Sequence, residues 1–244
     1  IVSSRTHFGA MFVVEMSRGC PYGCFFCAGH HIYSPYRFFA KEKILNTIFH
    51  KNPGAAKIGL EGAGISSHPD LYDIVSTCLE NGYEIALSSV RPDRINSELI
   101  QQLKKTNIQA FTIAPECGSG RLRKKIGKCI KNETILNAID QLKNTSIRVL
   151  KLYYLIGLPG ETDKDIMAIV TTAAEIAEIW NTSLKGREIR LSINGFVPKP
   201  FTEFQWAAMN TQKELNRKRK LIKKGLQNYS NILINAKSSK QEIL

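Results

Sequence analysis

The sequence contains no long hydrophobic run and no recognisable leader. No stretch of about eighteen apolar residues occurs in the 244-residue chain, so we expect no membrane-spanning helix. Residues 1–8 lack the basic start and the apolar stretch of a secretory signal, and we therefore expect a cytoplasmic protein. The chain begins with Ile1 rather than Met, and we interpret it as a segment of a longer protein.

Acidic residues are fewer than basic residues in this chain. The chain has 21 acidic and 34 basic residues, a formal net charge of +13, and this excess bears on partners rather than on fold. Part of it lies in residues 213–224, where Leu215 and Ile222 recur near helical spacing, and we predict a basic, helical C-terminal segment over 210–244. RNA binding through Arg217, Lys218, Arg219 and Lys220 is the alternative to a solvated outer face. The solvated face is favoured, because residues 213–224 have no aromatic side chain to stack on bases.

Disulfide bonds are not expected, because nothing indicates secretion and closely spaced cytosolic cysteines are more often ligands or catalysts. Three of the six cysteines, Cys20, Cys24 and Cys27, lie within eight residues of one another. Cys78 falls on the apolar face of a predicted helix and is expected in the core. Cys117 and Cys129 are not expected to act together. Metal chemistry at the first three cysteines is the favoured interpretation.

Short apolar runs alternate with amphipathic helical patterns along the chain. In residues 71–79 the apolar positions fall at i, i+3, i+4, i+7 and i+8, and Thr162 with Asp165 predicts a capped helix start. Six strand–helix units in series predict an α/β fold, a partial (β/α)6 TIM-like barrel of parallel strands in a single domain over 1–244. The six predicted strands are residues 11–16, 57–61, 83–89, 108–114, 149–156 and 189–196.

Glycine-rich or polar sequences follow each predicted strand. In order along the chain they are S-R-G-C, E-G-A-G, S-S-V-R, P-E-C-G-S, G-L-P-G-E-T and V-P-K-P. Because parallel barrels gather their chemistry at the carboxyl ends of the strands, these segments predict one shared site.

The first of these loops reads R-G-C-P-Y-G-C-F-F-C, with cysteines spaced Cys-x3-Cys-x2-Cys. A [4Fe–4S] cluster takes one thiolate per iron, so three ligands from one loop leave the fourth iron open. Gly19, Pro21 and Gly23 let the backbone fold around such a cluster. A zinc site closed by His30 or His31 is the alternative, although zinc prefers paired ligands.

The cysteine spacing, together with the aromatic residue directly before the last cysteine, resembles the signature of the radical S-adenosylmethionine (SAM) superfamily. More narrowly, S-R-G-C-P-Y-G-C-F-F-C, A-P-E-C-G-S-G-R-L-R-K-K-I-G-K and L-K-L-Y-Y-L-I-G-L-P-G-E-T resemble the radical domain of cobalamin-binding-type radical SAM proteins, which are related to tRNA methylthiotransferases. The resemblance covers residues 13 to 206. It implies that Cys20, Cys24 and Cys27 hold a [4Fe–4S] cluster and that SAM chelates the open iron. It also implies a flavodoxin- or ferredoxin-type reductant, and cobalamin carried by an upstream domain outside this chain.

The resemblance assigns further residues to the two ends of SAM. For the amino-acid end, Gly62, Ala63 and Gly64 occupy the place of a family Gly-Gly-Glu motif, with Glu61 displaced from the usual position of the carboxylate. Glu116 corresponds to a residue that contacts the ribose or methionyl part, and Lys128 to one that pairs with the SAM carboxylate.

For the adenine end, the resemblance assigns Phe26 to packing on the ring. Gly157 and Pro159 correspond to the backbone that runs past the ring. Glu161 and Thr162 either belong to that turn or simply begin the next helix. Ser89 and Arg91, at the end of the third strand, are weaker candidates for polar contacts. Asn194 and Lys199, around the sixth strand, are candidates to face the substrate.

Several functions are compatible with these features. The leading interpretation is a radical SAM enzyme, a transferase that catalyses a cobalamin-type methyl or group transfer. The alternative in the same class is a tRNA methylthiotransferase-like modification. From another class, the chain could be an iron–sulfur electron carrier or a zinc RNA-binding module. An electron carrier does not need an open iron or a barrel of this size, so the enzyme is favoured. The sequence leaves the substrate open.

Overall fold

The computed structural model describes residues 10–181 and 186–236. Its main feature is an arc of seven parallel strands in two sheets. One sheet has the order β1–β4–β5 and the other β6–β7–β8–β9, with all neighbours parallel. An isolated parallel bridge between Val90 and Ile113 joins the two sheets. The seven strands are β1 (Met11–Glu15), β4 (Lys57–Glu61), β5 (Glu84–Leu87), β6 (Ala110–Glu116), β7 (Val149–Ile156), β8 (Glu188–Gly195) and β9 (Ile232–Ala236).

Helices cross over between consecutive strands of the arc, as parallel neighbours require. A two-stranded antiparallel pair, β2 (Ser17–Arg18) with β3 (Arg37–Phe38), lies beside the first crossover. None of the described helices is long and apolar enough to cross a bilayer. The helices are α1 (Ala28–Ile32), α2 (Lys41–Lys51), α3 (Leu71–Glu80), α4 (Ser97–Lys104), α5 (Gly120–Lys125), α6 (Asn132–Leu142), α7 (Asp163–Trp180) and α8 (Gln212–Gly225), with 3-10 turns at Ile65–Ser67 and Pro92–Arg94.

Each sheet buries one face against the helices. In β7 and β8 every second residue is buried, because successive side chains of a strand point to opposite faces. The larger core lies under the second sheet and includes the fully buried Trp180 of α7. A smaller core lies under the first sheet. The alternate residues of β6, β7 and β8 are only partly buried and form the concave face of the arc.

The predicted α/β fold with parallel strands is confirmed, and the described strands form an open arc rather than a closed barrel. All six predicted runs form strands, with ends shifted by up to two residues. The predicted apolar face of α3 is buried at Leu71, Ile74, Val75 and Cys78, and Thr162 and Asp165 form the capping box of α7.

The basic C-terminal segment differs from its prediction. Residues 212–225 form helix α8, but the chain then adds β9 to the open edge of β8 instead of continuing as helix. Ile232 and Ile234 pack on the core of the second sheet, which explains why this short stretch is extended. Residues 237–244 lie outside the described part of the chain.

Candidate functional site

The cysteine loop, residues 19–27, leaves β2 and enters α1 at the carboxyl end of the first sheet. Cys24 is buried, whereas Cys20 and Cys27 are partly buried, and all three are free thiols. Burial raises the pKa of Cys20 and raises that of Cys24 to about 11. The positive charges of Lys128 and Arg91 act in the opposite direction on both thiols. The loop therefore places sulfur donors in a desolvated position with cations nearby.

Backbone hydrogen bonds hold this loop from two sides. The Phe25 N–H donates to the carbonyl of Ile126 at 3.0 Å, and the Phe25 carbonyl accepts from the Phe204 N–H at 3.2 Å. The ring of Phe204 also meets the ring of Phe25 edge-on, with centroids 5.9 Å apart. Gly127 allows the segment that contains Ile126 to approach the loop closely, because a Cβ on Gly127 would lie 2.6 Å from the Gly23 carbonyl oxygen. Two distant segments thus fix the shape of the loop.

The two histidines after the loop take part in local contacts. His30 Nδ1 lies 2.9 Å from the carbonyl oxygen of Cys20, and His31 Nε2 lies 3.1 Å from Glu203 Oε2. Over residues 10–181 and 186–236, no three His, Cys, Asp or Glu side chains are gathered into a ready-made metal site. The three thiols on one loop are nevertheless of the donor type that iron–sulfur clusters take, so the residues present fit such a cluster.

Tyr22, between the first two cysteines, is held by three side chains. The Arg91 guanidinium stacks on its ring at 3.7 Å from the centroid. Its hydroxyl oxygen accepts hydrogen bonds from Arg94 Nε at 3.0 Å and from Ser67 Oγ at 2.8 Å. Arg91, one of the weaker candidates for a polar contact, thus stacks on the cysteine loop and also pairs with Asp93.

The glycines after β4 lie against the cysteine loop and the short strand that precedes it. A Cβ on Gly64 would approach Pro21 Cδ to 2.8 Å, and a Cβ on Gly62 would approach Ser17 Oγ to 2.5 Å. The Gly64 carbonyl already accepts hydrogen bonds from the Ser67 N–H and the Tyr36 hydroxyl. Two donors fill its two lone pairs. Of the three residues assigned to the amino-acid end of SAM, Gly62 and Ala63 are therefore better placed to offer carbonyls.

A cavity of about 710 Å³ opens beside these glycines, and its wall includes Glu15, Glu61, Gly62, Ala63 and Ser88. Glu15 and Glu61 are paired in register on β1 and β4. Glu15 is bonded to Arg18 through both carboxylate oxygens. Burial raises the pKa of Glu61. The cavity therefore carries one ion-paired carboxylate and one half-buried carboxylate.

Glu116 and Lys128 are brought together. Lys128 Nζ lies 3.0 Å from Glu116 Oε1, and their side chains are only 7% and 16% exposed. Glu116 has a φ of 67°, an uncommon value for a residue other than glycine, at the point where the register of β6 shifts. The charges of both residues act on the Cys24 thiol, which places the pair beside the cysteine loop.

Arg123, which the sequence analysis did not single out, shapes the segment that carries Lys128. It is fully buried and donates to the carbonyls of Ile130 at 2.7 Å and Cys117 at 2.6 Å. Its own carbonyl accepts from the Lys128 N–H at 2.9 Å. An arginine in a run of basic residues gives no local sign that it is buried.

The turn after β7 carries the candidates for the adenine end. Gly157 and Gly160 have φ values of 84° and 75°, which favour glycine. Phe26 packs on a small cluster that contains Leu158 and Phe196. The structure thus brings Phe26 of the cysteine loop together with the turn that contains Gly157 and Pro159.

Helix α8 does not present the four proposed RNA contacts as one free basic face. Lys218 is 5% exposed and pairs with Glu161, and Arg217 pairs with Asp163 and Glu214. The sequence interpretation of Lys218 as a surface cation is therefore wrong, because a carboxylate far away in sequence neutralises it.

Comparison with known protein families gives one match over most of the chain. The model of the Radical SAM superfamily matches residues 14–173. An uncharacterized protein of Methanocaldococcus jannaschii is 32% identical over 208 residues, which cover 83% of this chain and 44% of that protein.

Two further curated relatives are more distant. An uncharacterized methyltransferase of Pyrococcus horikoshii is 25% identical, over 67% of this chain and 37% of that protein. The ribosomal protein uS12 methylthiotransferase RimO of Thermosipho africanus is 23% identical, over 62% of this chain and 38% of that protein. The chain spans less than half the length of these relatives.

Solved structures share the fold. SuiB of Streptococcus suis bound to S-adenosylmethionine superposes with a TM-score of 0.62 at 12% identity, over 93% of this chain and 50% of that chain. Coproporphyrinogen III oxidase (HemN) of Escherichia coli, described as a radical SAM enzyme, gives a TM-score of 0.63 at 14% identity, over 89% and 52%. With a family match over more than half of its length, the chain belongs to the radical SAM superfamily.

Proposed function

We propose that the chain holds a [4Fe–4S] cluster through Cys20, Cys24 and Cys27 and binds SAM at the carboxyl ends of the strands. The observation that carries this proposal is the cysteine loop itself, which bears three free thiols and lies against Gly64 on one side and Gly127 on the other. The chemistry that the cluster and SAM supply when bound together is reductive cleavage of SAM to methionine and a 5′-deoxyadenosyl radical.

The residues of this chain would orient SAM from both ends. Lys128 lies beside the cysteine loop, and its ammonium, shared with Glu116, offers a desolvated cation to the SAM carboxylate. Gly62 and Ala63 offer backbone carbonyls to the SAM amino group. At the other end, Phe26 and the backbone of Gly157 and Pro159 provide an apolar wall for adenine. The cavity beside Glu61 leaves room for the part of the substrate that reacts.

The reaction that we favour is a methyl or group transfer, with cobalamin supplied by a domain outside this chain. The names of the curated relatives, a methyltransferase and a methylthiotransferase, support transfer as the reaction class. A flavodoxin- or ferredoxin-type protein would supply the electron. Methylthiolation is the second candidate, favoured by the RimO relatives. Incubating the full-length gene product with SAM labelled on its methyl group, with and without cobalamin, and measuring the mass of the labelled product separates the two, because methylthiolation adds sulfur together with the labelled methyl group.

The cluster proposal is tested by anaerobic reconstitution and iron analysis. We expect about four irons per chain with the absorption of a [4Fe–4S] centre, and near-complete loss of iron in Cys20→Ala, Cys24→Ala or Cys27→Ala. Cys129→Ala is the matched control, because this exposed thiol lies outside the loop. A colourless protein that binds one zinc and loses it with the same three substitutions would overturn the proposal in favour of the zinc module.

The SAM proposal is tested at Lys128. Lys128→Met should weaken SAM binding by about 1.5–3 kcal/mol, the contribution of a hydrogen bond to a charged group, and leave the iron content unchanged. Binding is measured by titrating SAM against the EPR signal of the reduced cluster. Lys131→Met is the control, because this lysine is exposed at the start of α6. Equal SAM affinity in both variants would remove Lys128 from the site.

A further inference from the structure

Lys218 of α8 is buried at the carboxyl end of the second sheet. Its Nζ lies 2.7 Å from Glu161 Oε2 and 2.7 Å from Asn210 Oδ1. The side chains of Lys218 and Glu161 are 6% and 2% exposed, so this ion pair is removed from solvent. Lys218 also lies beyond residues 14–173, the part of the chain that the family model matches.

Glu161 connects this lysine to the turn after β7. The same oxygen, Oε2, accepts the Gly157 N–H at 2.7 Å. Gly157 has a φ of 84° and is covered by the residues that lead into α8. A Cβ on Gly157 would lie 3.0 Å from Leu215 Cδ2 and 3.3 Å from Asn210 Cβ. One carboxylate oxygen thus joins the backbone of the turn to a cation on the last helix.

The hydrogen bond from Gly157 depends on the charge of Glu161. Burial raises the pKa of Glu161, while Lys218 and the Gly157 N–H act in the opposite direction. Without the ammonium, the buried carboxylate would take up a proton or turn away toward water, since an unpaired buried charge is costly. Either change weakens its hold on the Gly157 N–H, because a neutral acceptor makes the weaker hydrogen bond.

We infer that Lys218 is a positioning residue for SAM, acting through Glu161 on the Gly157 turn that faces adenine. This inference rests on the proposed function, in which Gly157 and Pro159 lie against the adenine ring. It makes the buried side of α8 a part of the nucleotide site.

The experiment compares three ligands on the reconstituted protein and its Lys218→Met variant. SAM and 5′-deoxyadenosine share the adenosine group, whereas methionine carries only the end that chelates iron. We expect the affinities for SAM and 5′-deoxyadenosine to fall by the same factor, about tenfold or more, as for one lost charge-assisted hydrogen bond. The affinity for methionine, measured through its effect on the EPR signal of the cluster, should stay within about twofold of the wild-type value.

Two further variants make the result specific. Arg217→Met is the matched control, because Arg217 neighbours Lys218 but forms exposed ion pairs with Asp163 and Glu214. Lys218→Arg should recover part of the affinity. In Glu161→Gln with Lys218→Met, a neutral amide oxygen replaces the unpaired carboxylate, and part of the affinity should return. If Lys218→Met fails to fold, Asn210→Ala is the second variant, because it removes one contact of the Lys218 ammonium. It should lower the affinities for SAM and 5′-deoxyadenosine by a smaller factor and leave methionine binding unchanged.

The outcomes separate this inference from the proposed function. Normal SAM affinity in a folded Lys218→Met protein would overturn the role of Lys218 and leave the SAM site standing. Equal loss for all three ligands, together with lower iron content, would show a purely structural role and also overturn it. A wild-type protein that holds iron but binds neither SAM nor 5′-deoxyadenosine would overturn both.

Discussion

The cysteine loop and the adenine turn, residues 157–161, are held in place by different physical means. Around the cysteine loop, backbone hydrogen bonds at Phe25 and close approach at Gly64 and Gly127 set the geometry. Around the adenine turn, the hydrogen bond that holds the Gly157 N–H also depends on the buried charges of Glu161 and Lys218. The first arrangement leaves no room for added volume, whereas the second depends on keeping both charges. The iron side should therefore be sensitive to size and the nucleotide side to charge.

The largest expected effect tests the size sensitivity. In Gly127→Ala, the new Cβ would meet the Gly23 carbonyl oxygen at 2.6 Å in a residue whose φ is 74°. We expect a loss of about 2–5 kcal/mol in the free energy of unfolding, from overpacking and backbone strain together, and a marked loss of bound iron. Chemical denaturation and iron analysis measure the two effects.

Gly82→Ala is the matched control for this substitution. Gly82 has a φ of 79°, but a Cβ there would meet no atom within 4 Å. Gly82→Ala should lower the free energy of unfolding only by the backbone strain, about 1–2 kcal/mol, and should retain its bound iron. If the two variants lose stability equally and both retain iron, close approach is not what fixes the cysteine loop.

The next effect concerns Arg123, a buried cation in the segment that carries Lys128. Arg123→Met keeps much of the side-chain volume but removes the donors to the carbonyls of Ile130, Cys117 and Gly118. We expect a loss of about 2–4 kcal/mol in the free energy of unfolding, because several buried acceptors lose a charged donor. Lys124→Met, at an exposed position of the same helix, should cost little. An Arg123→Met protein that unfolds like the control would show that these buried hydrogen bonds do not stabilise the segment that carries Lys128.

The smallest effect concerns Asp165, which joins α7 to the segment that carries Lys128. Burial raises its pKa, but hydrogen bonds from Ser119, Thr162 and Arg121 outweigh burial and lower it to about 2 from 3.8. A carboxyl whose pKa is lower in the folded state stabilises the fold above pH 3.8, and this contribution is lost as the pH falls to about 2. The contribution is about 2 kcal/mol.

Denaturation of the iron-free protein across this pH range checks the prediction. Asp165→Asn should be less stable than the wild type at neutral pH and should lack this part of the acid-induced loss of stability. Parallel curves for the two proteins between pH 2 and 4 would show that Asp165 is not the group responsible.

The parts of the fold predicted well from sequence are those set by local patterns. Period-two and period-3.6 apolar spacing gave all six predicted strands and the buried face of α3, and the capping box of α7 is contained in four residues. The cysteine spacing likewise placed the loop after the first strand. Strand β9 was missed because its apolar run is short, and its pairing with β8 depends on a sheet edge far away in sequence.

The interactions that complete the candidate site were harder to predict. Lys218 and Glu161 are 57 positions apart, and Lys218 lies among lysines and arginines that are mostly exposed. Whether such a cation is buried depends on a partner that only the tertiary structure brings near. The Phe204 contact with Phe25 was missed for the same reason.

The single bridge between Val90 and Ile113 has a mechanical consequence. The cysteine loop follows one sheet and the turn at residues 157–161 follows the other, so a SAM molecule bound as proposed would span this narrow seam. A rotation of one sheet against the other would change the distance between the positions proposed here for iron and adenine. The hydrogen bonds that join Phe25 to Ile126 and Phe204 connect the cysteine loop to the second half of the chain and would oppose such a rotation.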